Sequence, residues 1–238
     1  MSVTASLFVP LRADSARPLI TYYNDATGER VELSVATLSN WAAKTANWLR
    51  DELDIQPGDP ISVALPAHWQ TAGALLGAWW CGAHVVDVAS KAEVALVTAD
   101  NPVDTAATVA VVSLDPMGRG LREVPTGAVD YISDMRVHGD DFHPYGPVDG
   151  AEPALQSLSV DDVVCAAKAT ELRPGDRVLS TVDWTLPTGI VEGLLAPLAA
   201  GASIVQCANL DAATRERKIS TERVTAILDA DGITRLDG

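Results

Sequence analysis

Two stretches of the chain decide its fold: "QPGDPISV" at Gln56–Val63 and "RPGDRVLS" at Arg173–Ser180. Each joins a Pro-Gly-Asp turn to an apolar run. Proline presets its own φ and glycine accepts the positive φ that a type II turn requires, so each stretch reads as the end of a helix and the start of a strand. Each strand then leads through an apolar segment to a Gly-Ala run, "GAHVV" at Gly82–Val86 and "GASIV" at Gly201–Val205. One strand–helix–strand unit is therefore written twice.

Upstream of the first copy, "PLITYYND" and "ERVEL" are expected as two strands around Asn24–Gly28, opening the first unit. Ser34 is placed to cap a helix on which Leu38, Trp41, Thr45, Trp48 and Leu49 recur at helical spacing. The segment "AHWQTAGALLGAWWC" is apolar nearly all round, as a helix is when it lies between a sheet and a further layer. Gly73 and Gly77 thin one of its sides.

In the second copy "LSVDDVVCAAKATELRPGD" stands for "LSVATLSNWAAKTANWLRDELDIQPGD", eight residues shorter, which is about two helical turns. "PTGIVEGLLAPLAAG" replaces the apolar helix, and Pro197 is expected to kink or restart it. Between the copies lie two more strands, a short helix in "GAVDYISDMRV", and the Pro/Gly/Asp-rich "HGDDFHPYGPVDGAEP". Buried strands alternating with helices define an α/β fold of two stacked, mainly parallel βαβ halves, the second cut short. The expected division is a first subdomain at 1–137, a linker at 138–153 and a shortened second subdomain at 154–238.

Hydrophobic residues make up 47% of the 238, too many for a disordered chain. A net charge of −15 with no cluster among Lys44, Lys91, Lys168 and Lys218 argues against a nucleic-acid partner or an anionic membrane surface. No charged residue occurs from Ile61 to Val86, but only Thr71–Val86 is continuously apolar, short of the roughly 20 residues that a membrane span needs. The N-terminus lacks a basic region ahead of its short apolar run, so no signal peptide is expected and the cytoplasm is the expected compartment. Cys81, Cys165 and Cys207 are widely spaced in apolar runs and are expected to be buried, inert thiols.

With this order of segments the chain resembles the adenylate-forming superfamily: acyl-CoA synthetases, peptide-synthetase adenylation domains and luciferases. The segment Leu33–Val88 resembles that family's opening helix, [R/Q]PGD turn, strand ending in proline and helix into Gly-Ala. "LRPGDRVLSTVDWTLPTGIVEGLLAPLAAGASIVQC" and "RKISTERVTAIL" resemble its second subdomain. More narrowly, the chain is similar to a short, conserved-hypothetical branch that lacks the catalytic motifs.

The resemblance implies a Ser/Thr/Gly-rich, lysine-terminated ATP phosphate loop just before the helix at Ser159–Thr170. Backbone N–H groups close on phosphate oxygens there and lysine neutralises charge. This sequence has the acidic "PVDGAEPALQSL" instead, with no lysine, and Thr185 and Leu186 occupy the place of the family's aromatic-His pair. The family's adenine- and magnesium-binding segment, ribose-binding Asp and lysine-bearing C-terminal domain would lie past Gly238. The expectation is a chain with no catalytic residues and no cofactor of its own, for which ATP, AMP or CoA enter through the resemblance alone.

Trp184 stands apart from the five helical tryptophans. In "STVDWTLPTG" it follows a second-unit strand, where open α/β sheets place their ligand crevice. Asp183, Trp184, Thr185 and Thr188 are therefore the expected pocket residues. His138, Asp140, Asp141 and His143 offer zinc- or manganese-type donors within six residues. Their spacing matches no standard zinc motif, and Pro144 and the glycines point to a mobile acidic linker, so no metal is expected. "MGRG" lacks the third glycine of a dinucleotide loop and reads as a turn.

The leading expectation is a non-catalytic module that binds an acyl, aryl or nucleotide-like small molecule, a protein partner, or both. The alternatives are an AMP-ligase-like enzyme completed by another chain, and a structural interaction protein without ligand. An apolar face left by the shortened half would be covered by a second copy or by a protein partner.

Overall fold

The structure, a computed structural model, describes residues 1–101 and 106–236. Strands β1 (Pro18–Asn24) and β2 (Glu29–Ser34) form the hairpin expected from the sequence. Helix α2 (Val35–Asp51) follows at once, its first turn capped by Ser34 Oγ accepting from Thr37 N at 3.2 Å. A short helix α1 (Val3–Leu7) precedes the hairpin and lies against α3 (Trp69–Cys81), where the Thr4 hydroxyl donates to the Leu76 carbonyl at 2.6 Å.

The first sheet comprises β3 (Pro60–Ala64), β4 (His84–Val86), β5 (Ala92–Val97), β6 (Ala106–Val111) and β7 (Ala128–Asp130), with β8 (Pro153–Leu155) and β9 (Leu158–Ser159) beyond β4. Its order is β7-β6-β5-β3-β4-β8-β9, parallel except for the β8–β9 pair. All thirteen residues of α3 are buried, as its all-round apolarity requires. The thinned side meets α2: a Cβ on Gly77 would strike Thr45 and lie 2.8 Å from the Ala42 carbonyl oxygen.

The second sheet holds β10 (Arg177–Ser180), β11 (Ser203–Ala208), β12 (Ala226–Asp229) and β13 (Gly232–Arg235). Its order, β13-β12-β10-β11-β1-β2, corrects the reading that put the N-terminal hairpin in the first unit. β1 pairs in parallel with β11 from Ile20 against Ile204 to Asn24 against Ala208. The physical reason lies in β1 itself: Leu19 to Tyr22 are buried on both faces, so the strand needs a neighbour on each side. β2 supplies one and β11 the other.

The two Pro-Gly-Asp turns are the same object. Gly58 and Gly175 have φ of 88° and 85°; Asp59 accepts from Gln56 N at 2.8 Å, and Asp176 from Arg173 N at 2.7 Å. In each copy the aspartate carbonyl then accepts from the returning strand, from His84 N at 2.9 Å and Ser203 N at 2.8 Å. Helix α5 (Val160–Lys168) is the shortened counterpart of α2, while α4 (Tyr131–Met135) lies between the copies.

After β10 the chain makes α6 (Thr188–Ile190), a π turn (Val191–Leu195) and α7 (Ala196–Ala200) without a break. Of the two expectations for Pro197, a kink or a restart, the structure gives the restart: Pro197 stands in the first turn of α7, after that wider turn. The wider turn accommodates the missing proline N–H and the ring just ahead of Pro197.

Helix α8 (Ala212–Glu222) reads as polar yet carries two buried charges. Lys218 Nζ donates to both Asp25 oxygens at 2.7 and 2.8 Å, and Glu222 accepts from Arg177, Arg30 and the Tyr23 hydroxyl. These pairs bind α8 to the hairpin and to β10. The segment 136–152 is hydrogen-bonded along α2: Lys44 donates to the His138 carbonyl at 2.6 Å, Asn47 to Gly139 and Asp141, and Arg50 to His143. Phe142 and Val148 are buried beneath it. Among the described residues no helix is long and apolar enough to cross a membrane.

Candidate functional site

The carboxyl ends of parallel strands from both sheets face one another across a crevice of about 540 Å³. Residues 63–67 at the end of β3, Asp87 after β4 and Asn101 after β5 form one wall; Asp183–Leu186, following β10, form the other. Pro66 and Asp183 also border a second hollow of about 700 Å³, lined by Asn209, Leu210 and Arg215 at the start of α8. Asp183 and Pro66 thus border both spaces.

The loop carrying Asp183 and Trp184 is fixed by its neighbours. The Gln206 amide donates to the Val182 carbonyl at 3.2 Å, Thr185 N to Asp183 O at 2.9 Å, and Ile190 N to Thr185 O at 3.1 Å. Gly189 and Gly193 make room for it: a Cβ on Gly189 would strike the Asp183 carbonyl. One on Gly193 would lie 2.7 Å from the Trp184 indole. Trp184 is buried, and its indole N–H finds no hydrogen-bond partner among the described residues.

Of the four residues expected to line a pocket, the structure brings Asp183, Trp184 and Thr185 together on this crevice. Thr188 opens instead into a separate groove beside α5 and the β12–β13 hairpin. Sequence reasoning missed Pro66, Asp87 and Arg215. Asp87 carried the same signal as Trp184, a polar side chain just past the carboxyl end of a buried strand.

The crevice presents the Asp87 and Asp183 carboxylates and, among the described residues, no Lys, Arg or His. Arg215 borders the second hollow and is held at 3.3 Å by its neighbour Glu216. Behind the crevice floor, His68 caps α3, its Nδ1 accepting from Gln70 N at 3.1 Å. Burial against Tyr22 and Trp69 lowers its pKa to about 4, so it serves as a neutral acceptor.

The segment matching the expected phosphate-loop position is a tight hairpin. Gln156 and Ser157 connect β8 to β9, and Gln156 N donates to Val85 O at 2.8 Å. The following helix end is already filled by carboxylates. Ser159 and Asp162 form a reciprocal capping box, and Asp161 shares the first turn. The first-turn N–H groups are already taken, Val160 N by Glu152 O and Asp161 N by Gly150 O at 2.9 Å and Asp162 N by Ser159 Oγ at 3.2 Å, while the acids lie at the positive dipole end that an anion would use.

The metal-type residues are dispersed. His138 meets Glu52 at 3.1 Å, Asp140 meets Lys44 at 2.9 Å and Asp141 meets Arg12 at 3.2 Å. No group of three or more His, Cys, Asp or Glu placed to hold a metal occurs among the described residues. The "MGRG" stretch closes as an Asp115-centred turn, Asp115 Oδ1 accepting from Met117 N at 2.8 Å. Cys81 and Cys207 are buried, but Cys165 lies on the exposed face of α5, correcting the expectation of three buried thiols. Its apolar neighbours Val163 and Ala167 face inward and turn Cys165 out.

A similar fold occurs in part of solved acyl-CoA synthetases. An acyl-CoA synthetase from Brucella canis superposes with a TM-score of 0.79 at 18% identity, over 96% of this chain and 47% of that one. The acetoacetyl-CoA synthetase of Streptomyces lividans gives 0.75 at 18% over 96% and 42%. An anthranilate CoA ligase in complex with anthranoyl-AMP gives 0.71 at 14% over 95% and 49%. The chain spans about half the length of these structures, and the likeness is one of fold. No protein-family profile matches the chain. It is 51% identical to a TIGR03089 family protein of Mycobacterium tuberculosis, over 92% of this chain and 94% of that protein. The chain belongs to the TIGR03089 family.

Proposed function

We propose that this protein is a non-catalytic binding module. On this reading it keeps the crevice of the acyl-CoA synthetase fold for an acyl or aryl small molecule and does not adenylate it. The observation that carries this is the convergence of Asp183, Trp184 and Thr185 with Pro66 and Asp87 on one crevice of about 540 Å³. That volume suits a small ligand. The indole offers an aromatic wall, and the two carboxylates accept hydrogen bonds from an amide or amine while repelling phosphate and carboxylate groups.

Carboxylate adenylation must neutralise a polyphosphate. The acidic capping box at the head of α5 and the lysine-free hairpin before it support the absence of that step. The test is a thermal-shift panel of benzamide, anthranilamide, octanamide, AMP, MgATP and CoA, with pyrophosphate release measured in parallel. A ligand at 100 times its Kd stabilises the native state by about 2.7 kcal/mol. The expected result is a rise in Tm with an aryl or acyl amide, lost in Asp183→Ala, with no rise for MgATP and no pyrophosphate. Pyrophosphate release, or a panel that leaves Tm unmoved, defeats the proposal.

A further inference from the structure

A hollow of about 740 Å³ lies apart from the crevice. It lies between α5, the helical run from α6 to α7 and the β12–β13 hairpin. Its floor is apolar: Val182, Val191, Leu228 and Ile233 contribute, with Ala166 and Ala196 at the sides. Around that floor stand Glu171 after α5, Glu192 on the π turn, and Asp229 and Asp231 at the hairpin tip. Glu171, Glu192 and Asp231 are exposed, and among the described residues no Lys, Arg or His lines the groove.

We infer that this groove docks a basic, amphipathic segment of a partner protein, its apolar face on the floor and its Lys or Arg side chains on the acidic rim. The charges decide the occupant. A second copy of a chain of net charge −15 would bring acid against acid. A small monovalent cation would answer one carboxylate and leave the others, which come from three separate elements. A segment carrying cations on both sides of an apolar stripe answers all of them, and helix-in-groove docking has this pattern. The groove is separate from the crevice, so the inference stands whether or not the crevice takes a ligand.

The probe is a fluorescent Leu/Lys peptide of about 15 residues with leucines at i, i+3, i+4 and i+7. It is read by anisotropy against the full chain. A Leu/Glu version and a scrambled Leu/Lys version are the controls. The triple variant Glu171→Gln, Glu192→Gln, Asp231→Asn removes three exposed rim charges. A matched variant, Asp14→Asn, Glu93→Gln, Glu123→Gln, removes three exposed charges elsewhere. The expected result is about tenfold weaker binding to the rim variant, with the matched variant within about twofold of the native chain. Circular dichroism confirms that both variants are folded. Equal weakening by the two variants, or equal binding of the scrambled peptide, overturns the inference by reducing it to net charge. A dimer in sedimentation equilibrium that Ile233→Asp dissociates overturns it in favour of a second copy.

Discussion

Gly193 and Trp184 are packed so closely that a Cβ on Gly193 would lie 2.7 Å from both Cδ1 and Nε1 of the indole. The π turn therefore sets where the crevice wall stands. Gly193→Ala is expected to push Trp184 and lower stability by about 1–3 kcal/mol, the usual range for overpacking. Denaturant unfolding with tryptophan emission measures both effects. An unchanged midpoint together with unchanged emission would show that the wall is not held this way.

Asp176 accepts a two-pronged pair from Arg235, Nη1 to Oδ2 at 2.8 Å and Nη2 to Oδ1 at 2.9 Å. That pair, with the Arg173 N–H and the Thr225 hydroxyl, lowers its pKa from 3.8 to about 2. The stabilisation is complete above pH 3.8 and drains as pH falls toward 2, because the unfolded carboxyl takes up its proton first. With the part-exposed guanidinium screened by solvent, the contribution is on the order of 1 kcal/mol. Acid titration of Asp176→Asn should lack this step; a profile that overlays the native one defeats the assignment.

His68 adds a second pH dependence of the same sign. Burial holds its pKa near 4, against 6.5 for a free imidazole. Between those values the unfolded chain binds a proton that the native state refuses, so stability is full above pH 6.5 and lost as pH falls to 4. The loss is up to about 3 kcal/mol. His68→Asn keeps a side chain able to cap α3 and should flatten the slope between pH 6.5 and 4, whatever its effect at neutral pH. Persistence of the slope in the variant would assign it elsewhere.

Glu222 is the buried anion of the α8 network, and Arg177, Arg30 and the Tyr23 hydroxyl all point at it. Its pKa is lowered from the usual carboxylate value, burial being outweighed by those hydrogen bonds. Removing one partner of a buried pair leaves the other uncompensated, so Glu222→Ala should cost about 3 kcal/mol. Chemical denaturation reads it, and a cost below about 0.5 kcal/mol, as for a surface substitution, contradicts the network.

The thiols divide by exposure. Burial raises the pKa of Cys81 and of Cys207 to about 12, while Cys165 faces solvent. One equivalent of thiol should react with Ellman's reagent in the native protein at pH 8, and Cys165→Ser should abolish it. Labelling of all three cysteines without denaturant would contradict the buried positions.

The features legible in the sequence are those made by adjacent residues. The paired turns at Gly58 and Gly175, the Ser34 cap and the all-buried α3 are local chemistry, and each appears where the residues place it. Strand pairing over nearly the whole chain is not local, which is why β1 reads as part of the wrong sheet. Lys218 and Glu222 look like surface charges because their partners, Asp25 and Arg177, lie on strands distant in sequence. Cys165 reads as buried in the sequence but lies exposed, because local apolarity does not tell which face of a short helix is covered. At the crevice, the Asp183–Thr185 wall follows from its place past a strand end, whereas Pro66 and Asp87 join it only when the two sheets meet.

The pairing of Ile20 with Ile204 has a consequence for synthesis. β1 leaves the ribosome about 180 residues ahead of its parallel partner, the separation of Ile20 from Ile204. At ~5–20 residues per second, the nascent chain carries Leu19, Ile20 and Tyr22 on an unpaired strand edge for on the order of ten seconds. An apolar edge in that condition invites association with other chains. Production of this protein therefore carries an interval of vulnerability, during which a chaperone would shield the hairpin, and it closes when β11 emerges.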